Sequence, residues 1–354
     1  ASNDTGGYAD NERTREIGNI SSQQLYFANS IARALNKTHP GRFRLYCLSY
    51  WHSHDPPKPM RKAEPGVHIT IVNEGNHTKP LDMPELADIA RTTGRNNTRE
   101  VRAIEGWVET GGLDGVYEWY IPAIGNGIWA AMPWYPGQVT LRNLRFWKSK
   151  GIQFVFYESQ REHNGGFPLR WPVYYRCYRG MWDPELTAEE ILTEACEKLY
   201  GPAAVSMVNY YGVFEKAMLD TDEHVGNWHL PAPHKVYTPA VEAEADKWLT
   251  KAAETASGES ARKRIAAERT LWEKAKTILA ELRTVKAQQS FDVVLNGRKM
   301  HYAKAVVTRK TIISLFGLPG NAEIEVVEKD GQNRLFKNGE RVDLTQGVVF
   351  RYRE

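Results

Sequence analysis

The alternation of two residue patterns between residues 20 and 182 constrains the fold more than any other feature of the sequence. Runs rich in β-branched and aromatic residues predict strands at 42–51, 66–75, 113–122 and 152–158. Helical spacing of apolar residues occurs before, between and after them, at 20–38, 84–110, 139–151 and 172–182. This order predicts an α/β fold with a parallel sheet and right-handed crossovers. In such a sheet, functional residues lie at the carboxyl ends of the strands.

Polar and aromatic residues follow each predicted strand, which makes them candidates for substrate binding. In chain order they are Asn3, Tyr50, Trp51, His54, Asn73, Glu74, Trp119, Tyr120, Arg161, Asn164 and Trp171. The chain has 11 Trp and 17 Tyr, and many of these stand beside Pro, Gly or Asn in loop-like stretches. Aromatic rings in loops more often contact a ligand than fill a core. They suit sugars, which offer apolar C–H faces and a rim of hydroxyls. The alternatives are core packing for the rings and a simple turn for Asn73 and Glu74.

Three carboxylates are candidates for catalysis. Glu158 ends an apolar strand, Glu118 stands between two aromatic residues at the end of another, and Asp4 would fit the same role if a strand preceded it. Hydrolysis of a glycosidic bond needs two carboxyl groups, one protonated and one ionised. The alternative for each is a carboxylate that caps a helix or pairs with an arginine.

Composition and motifs exclude several classes of function. The net charge of +3, from 46 basic and 43 acidic residues spread along the chain, argues against a nucleic-acid or membrane-surface partner. The chain has no run of 18 apolar residues, so no membrane-spanning helix is expected. The stretch HSHD at 52–55 lacks further ligands at metal-binding spacing, so no metal is expected. No nucleotide or dinucleotide motif is present, and we expect no cofactor.

The pattern changes twice after residue 182. Residues 183–289 are strong helix formers with amphipathic spacing and predict a helical domain. At the start of residues 290–354, apolar and polar residues alternate on either side of an Asn-Gly turn at 296–297, which predicts a hairpin. One helix and further strands follow. This small α+β pattern is typical of a β-grasp domain. The predicted domains are therefore 1–182, 183–289 and 290–354.

The segments NDTGGYADN, YWHSHDPPKP, GVYEWY, FVFYES and GMWDPELTAEEI resemble, in this order, the bacterial domain of unknown function 4838, over residues 1 to about 285. This family is considered related to glycoside hydrolase TIM barrels, including the α-glucuronidases. The resemblance implies that residues 1–182 form strands five to eight of a (β/α)8 barrel, its C-terminal half. Glu118 stands where the family pattern has Trp-Asp-Tyr. The resemblance also implies that the first half precedes residue 1, or that the chain completes the barrel by pairing with another half, for example by self-association.

Residues 290–354 resemble the prokaryotic multi-ubiquitin domain in FDVVLNGRKMHY, VTRKTIISLFGLPG and NGERVDLTQGVVFRY. The resemblance implies a ubiquitin-like β-grasp that binds a protein partner. We therefore expect a carbohydrate-active protein that hydrolyses glycosidic bonds. The alternative is a non-catalytic module that binds glycans or proteins. A glycan-degrading barrel would suit an extracellular or periplasmic location and a ubiquitin-like module the cytoplasm, so the sequence leaves the localisation open.

Overall fold

The computed structural model describes most of the chain: residues 11–87, 97–119, 127–158, 167–226, 230–284, 291–296, 298–302, 306–316, 318, 322–328, 331–344 and 348–352. These residues form two compact units. The first unit contains the described residues up to Leu279, and the second contains those from Ala280 onward.

A four-stranded sheet lies at the centre of the first unit. Its strands are β1 (Leu45–Ser49), β2 (Val67–Val72), β3 (Leu113–Trp119) and β4 (Phe154–Glu158). The strands follow one another in the order β1-β2-β3-β4, and each neighbouring pair is parallel. The predicted mixed α/β fold with a parallel sheet is therefore confirmed. All four strands present their carboxyl ends at one edge, as the candidate site requires.

Helices accompany these strands in the predicted alternation. They are α1 (Glu12–Ile17), α2 (Ile20–Thr38), α3 (Asn97–Glu109), α4 (Gly127–Ala130), α5 (Gly137–Ser149) and α6 (Phe167–Trp182). The first residue of α2 follows Asn19, whose side chain accepts a hydrogen bond from Ser22 N at 3.0 Å. Such a cap satisfies one of the N–H groups that the first turn leaves unpaired.

The helices bury one face of the sheet, and the other face stays open. Alternate side chains of a strand point to opposite faces. One set packs against α2, α3 and α5 in a core that includes Leu25, Ile104, Trp107, Leu144 and Trp147 together with Val67, Ile69, Ile71 and Val116. The other set includes Tyr46, Leu48, Phe154 and Phe156, which are exposed by 37–53%.

A helical region completes the first unit. It comprises α7 (Ala188–Tyr200), α8 (Ala204–Asp220), α9 (Pro233–Val236), α10 (Pro239–Thr255) and α11 (Glu259–Thr284). The buried faces of these helices share a core with Trp129 of α4 and with Val173 and Cys177 of α6. The helices that come next in the chain after β3 and β4, α4 and α6, thus pack against the helical region.

The second unit has its own sheet and core. Its elements are β5 (Phe291–Leu295), β6 (Arg298–Tyr302), β7 (Val306–Thr308), α12 (Arg309–Phe316), β8 (Ile324–Val327), β9 (Asn333–Leu335), β10 (Arg341–Asp343) and β11 (Val349–Tyr352). Five strands lie in the order β6-β5-β11-β8-β9, with β11 parallel to β5 and antiparallel to β8. The strands β5 and β6 pair on either side of the predicted turn, and β7 pairs with β10.

Candidate functional site

The carboxyl edge of the sheet presents two groups of side chains, on opposite faces. Glu118 pairs in register with Tyr157, and Trp119 with Glu158. Residues in register on neighbouring parallel strands share a face, while consecutive residues of one strand do not. Glu118 and Glu158 therefore face opposite sides of the sheet. The structure does not bring the two predicted acids into one pocket.

Glu158 lies on the open face, where its carboxylate accepts a hydrogen bond from the hydroxyl of Tyr117. Burial raises the pKa of Tyr117, and the hydrogen bond and the charge of Glu158 raise it further. The Tyr117 hydroxyl consequently keeps its proton and acts as a donor near neutral pH. Tyr117 was not predicted: alternation along the strand places it on the face opposite Glu118, but only the pairing of β3 with β4 shows that Glu158 shares its face.

Aromatic rings surround this pair. Tyr117 packs against Phe156 with 4.9 Å between ring centroids. With Tyr46, Leu48, Thr70 and Phe154, the two rings line an open groove of about 520 Å³. This is within the ordinary size range of small-molecule sites. A ligand in the groove would contact apolar ring faces and Tyr117, whose hydroxyl donates to Glu158.

Trp51 stands at the carboxyl end of β1 in a rare backbone conformation. Its φ angle is +52°, in the left-handed region, and its side chain is 40% exposed. Non-glycine residues in this region are uncommon and are found at functional sites more often than elsewhere. Tyr50 lies next to it, with 6.3 Å between the two ring centroids. Both residues were predicted from the sequence to bind substrate.

Glu118 lies on the helix side and is held by two side chains. Its Oε2 accepts a hydrogen bond from Asn73 Nδ2 at 2.6 Å, and its Oε1 lies 3.1 Å from His77 Nδ1. Glu118 is only 6% exposed. The cavity beside it has a volume of about 30 Å³. A cavity of that size has room for one or two waters but not for a sugar ring.

A second buried pair lies nearby and includes another predicted residue. His54 Nε2 is 3.0 Å from Glu100 Oε2, and the same oxygen accepts a hydrogen bond from Glu74 N at 3.2 Å. Burial lowers the pKa of His54, but the charges of Glu100 and Glu74 and the hydrogen bond to Glu100 outweigh it, so the net pKa is raised. His54 and Glu74 thus belong to a buried network.

The loop after β2 is fixed by amide side chains. Asn76 N donates to Asn97 Oδ1 at 2.7 Å, and Thr78 N donates to Asn76 Oδ1 at 2.9 Å. Together with Asn73, these bonds tie the loop to the start of α3 and to β3. His77, Glu100, Asn76 and Asn97 were all missed from the sequence. The polar run NEGNHT after β2 was the only signal for Asn76 and His77, and nothing in the sequence pattern singled out Asn97 and Glu100.

The remaining predicted residues divide into two groups. Trp171 is half-buried against the helical core, where its Nε1 donates to Tyr211 Oη at 3.2 Å. Asn3, Asp4, Tyr120, Arg161, Asn164 and the side chain of Trp119 lie outside the described residues, so their roles stay predictions.

Within the described ranges, no group of three or more His, Cys, Asp or Glu side chains is arranged to hold a metal ion. Nor does that part of the chain contain a helix long and apolar enough to cross a membrane.

Comparison with known proteins identifies one family. Residues 2–212, more than half of the 354 residues, match the model described as "Domain of unknown function (DUF4838)". No curated protein and no solved structure matches the chain.

Proposed function

The chain belongs to the DUF4838 family, and we propose that it is a carbohydrate-active protein whose ligand lies on the open face of the β1–β4 sheet. The observation that carries this proposal is the Tyr117–Glu158 pair at the carboxyl edge, beside exposed aromatic rings. Sugar rings stack on aromatic side chains through their C–H faces, and a carboxylate accepts hydrogen bonds from their hydroxyls.

The reaction proposed for this site is hydrolysis of a glycosidic bond. Glu158 accepts a hydrogen bond from Tyr117, an arrangement that suits the ionised nucleophile or base rather than the acid. Glu118 cannot serve as its partner from the opposite face. The second acid of this proposal is Asp4, which the sequence places after Asn3 near the start of the chain.

The same proposal includes a fold for each of the two units. Among the described residues, β1 and β4 each pair with one strand only. This arrangement and the open face of the sheet support an interpretation of β1–β4 as strands five to eight of a (β/α)8 barrel. The five-stranded mixed sheet and the helix α12 support a ubiquitin-like β-grasp in the second unit. Its role in protein binding stays a prediction.

Assays on a panel of polysaccharides and aryl glycosides test the proposed function. We expect turnover by the wild type and a loss of at least about 100-fold in Glu158→Gln, the size typical of a lost catalytic carboxylate. Glu105→Gln, an exposed substitution on α3, is the matched control and should keep full activity. Wild-type turnover that survives Glu158→Gln would overturn the assignment of Glu158.

Binding without turnover is the second candidate function. It is favoured by the opposite orientation of Glu118 and Glu158, because two acids on different faces cannot flank one bond. Titration of the same glycans by calorimetry separates the two. Binding that weakens in Tyr117→Phe, with no product formed, would assign a glycan-binding protein rather than a hydrolase.

A further inference from the structure

Two fully buried arginines on α6 differ in their partners. Arg176 is 1% exposed, and its Nη1 pairs with Glu215 Oε2 at 3.2 Å. Arg170 is 2% exposed, and its Nη2 donates to the backbone oxygen of Trp129 at 2.7 Å. Its Nε and Nη1 have no hydrogen-bond partner. Within the described part of the chain, no carboxylate forms an ion pair with Arg170.

An unpaired guanidinium in such a position is unfavourable. A buried charge without a counter-charge destabilises the folded state, and unsatisfied buried N–H groups add to this. One backbone carbonyl satisfies a single N–H of Arg170 and leaves its positive charge uncompensated. Burial accordingly lowers the pKa of Arg170. A water molecule could accept a hydrogen bond here, but it would not neutralise the charge.

A second unpaired donor belongs to the same core. The hydroxyl of Tyr135 is fully buried and has no hydrogen-bond partner. The ring of the preceding residue, Trp134, packs 5.8 Å from the ring of Trp129, whose backbone oxygen binds Arg170. Burial raises the pKa of Tyr135 well above its ordinary value, so the hydroxyl keeps its proton. The neighbouring hydroxyl of Tyr237 already donates to Pro133 O at 2.5 Å. Two kinds of donor, one of them charged, therefore lack an acceptor in the same part of the core.

We propose that Arg170 and the hydroxyl of Tyr135 form a binding site for a small oxyanion. An oxyanion supplies several acceptor atoms and the missing negative charge, and arginine recognises carboxylate, phosphate and sulfate through parallel N–H groups. The site lies in the core shared by α4, α6 and the helical region, on the helices that follow β3 and β4. It is independent of the carbohydrate site proposed above.

Thermal unfolding of the full chain in different sodium salts tests this site. Phosphate, sulfate and acetate are each titrated against chloride at constant ionic strength, because a ligand of the native state raises the Tm in a saturable way. We expect one class of oxyanion to raise the Tm of the wild type and of Arg102→Met, an exposed control. Arg170→Met should show no such rise. Stabilisation by phosphate and sulfate would assign a tetrahedral ligand, and stabilisation by acetate a carboxylate.

Two outcomes would overturn the proposal: no salt-specific rise in the wild type, or an equal rise in Arg170→Met. If Arg170→Met does not fold, Tyr135→Phe keeps the test decisive, because it removes one hydroxyl and leaves the ring in place. Calorimetry should then show single-site binding of the stabilising anion to the wild type. Binding should be about tenfold weaker in Tyr135→Phe, as expected for a lost hydrogen bond to a charged group. Unchanged affinity in that variant would exclude Tyr135 and, with it, the proposed site.

Discussion

At the scale of single residues, the two glutamates that look alike in the sequence have different surroundings. Each follows an apolar strand and neighbours aromatic residues. Alternation along β3 shows that Tyr117 and Glu118 face apart, but the sequence does not show which face the helices cover. That depends on packing between distant elements, here Trp147 of α5 and His77 near Glu118. The candidate carboxylates could be predicted, whereas their separation by the sheet could not.

Glu268 gives the clearest prediction of pH dependence. Burial raises its pKa to about 8, although the nearby hydroxyls of Tyr210 and Tyr211 lower it. The folded state therefore holds a proton that the unfolded state releases near pH 4.5, and the stabilisation is lost as the pH rises from there to about 8. The loss is on the order of 5 kcal/mol. Urea unfolding at several pH values should show this slope in the wild type and in Glu281→Gln, but not in Glu268→Gln. Parallel slopes in all three would contradict the prediction.

His54 gives a prediction for the buried network. Its pKa is raised because the charges of Glu100 and Glu74 and the hydrogen bond to Glu100 outweigh burial. The stabilisation from a protonated His54 is present below pH 6.5 and disappears as the pH rises through the raised pKa. Glu100→Gln should lower this pKa, which an NMR titration of the imidazole can follow. An imidazole pKa unchanged by the substitution would show that Glu100 does not stabilise the protonated form of His54.

At the scale of elements, most helices and strands could be predicted because their signals are local. Asn19 caps α2, and the strands β1–β4 lie inside their predicted runs. Two helices differ from their predictions. The helix expected over 84–110 is α3, which begins at Asn97; residues 84–87 form a 3-10 turn, and 88–96 lie outside the described residues. The helix α6 was expected from residue 172 but begins at Phe167. Pro172 lies inside this helix, where its missing N–H would favour a helix start. Packing of Val173 and Cys177 against the helical region favours a helix across that position, and the sequence pattern does not contain this information.

The join between α1 and α2 gives a prediction at this scale. Gly18 has a φ angle of +119°, and a Cβ there would lie 2.0 Å from the backbone oxygen of Lys58. Gly18→Ala should therefore lower the free energy of unfolding by more than about 1 kcal/mol, through backbone strain and a clash with main-chain atoms. Gly41→Ala is the control, since Gly41 also has a positive φ but has open space at its Cβ. Equal losses in the two variants would show that the contact with Lys58 is unimportant.

At the scale of the whole molecule, the alternation of strands and helices was enough to predict the parallel sheet. Membership of this sheet in a barrel stays a prediction. The helical region has strong helical periodicity, but its shared core with α4 and α6 depends on contacts between distant segments such as Trp129 and Tyr237. In residues 290–354 the Asn-Gly turn and the strand alternation are local signals, while the β-grasp fold stays a prediction.

The second unit should fold by itself, because its core consists of its own residues, among them Val293, Ile324 and Phe350. An isolated segment of residues 280–354 should give a cooperative thermal transition by circular dichroism. Phe350→Ala should abolish or strongly lower it, since truncation of a buried Phe destabilises by about 3–5 kcal/mol and a domain this small is only marginally stable. The exposed substitution Arg334→Met should leave the transition nearly unchanged. A segment without any transition would contradict an independent core.

The most direct test of the proposed carbohydrate site compares Glu158→Gln with Glu118→Gln for glycan turnover and for Tm. The account predicts that Glu158→Gln abolishes turnover with little change in Tm, because Glu158 lies on the open face. It also predicts that Glu118→Gln lowers the Tm, because Asn73 and His77 lose a charged partner in the interior. Turnover that depends on Glu118 at unchanged Tm and survives Glu158→Gln would contradict it.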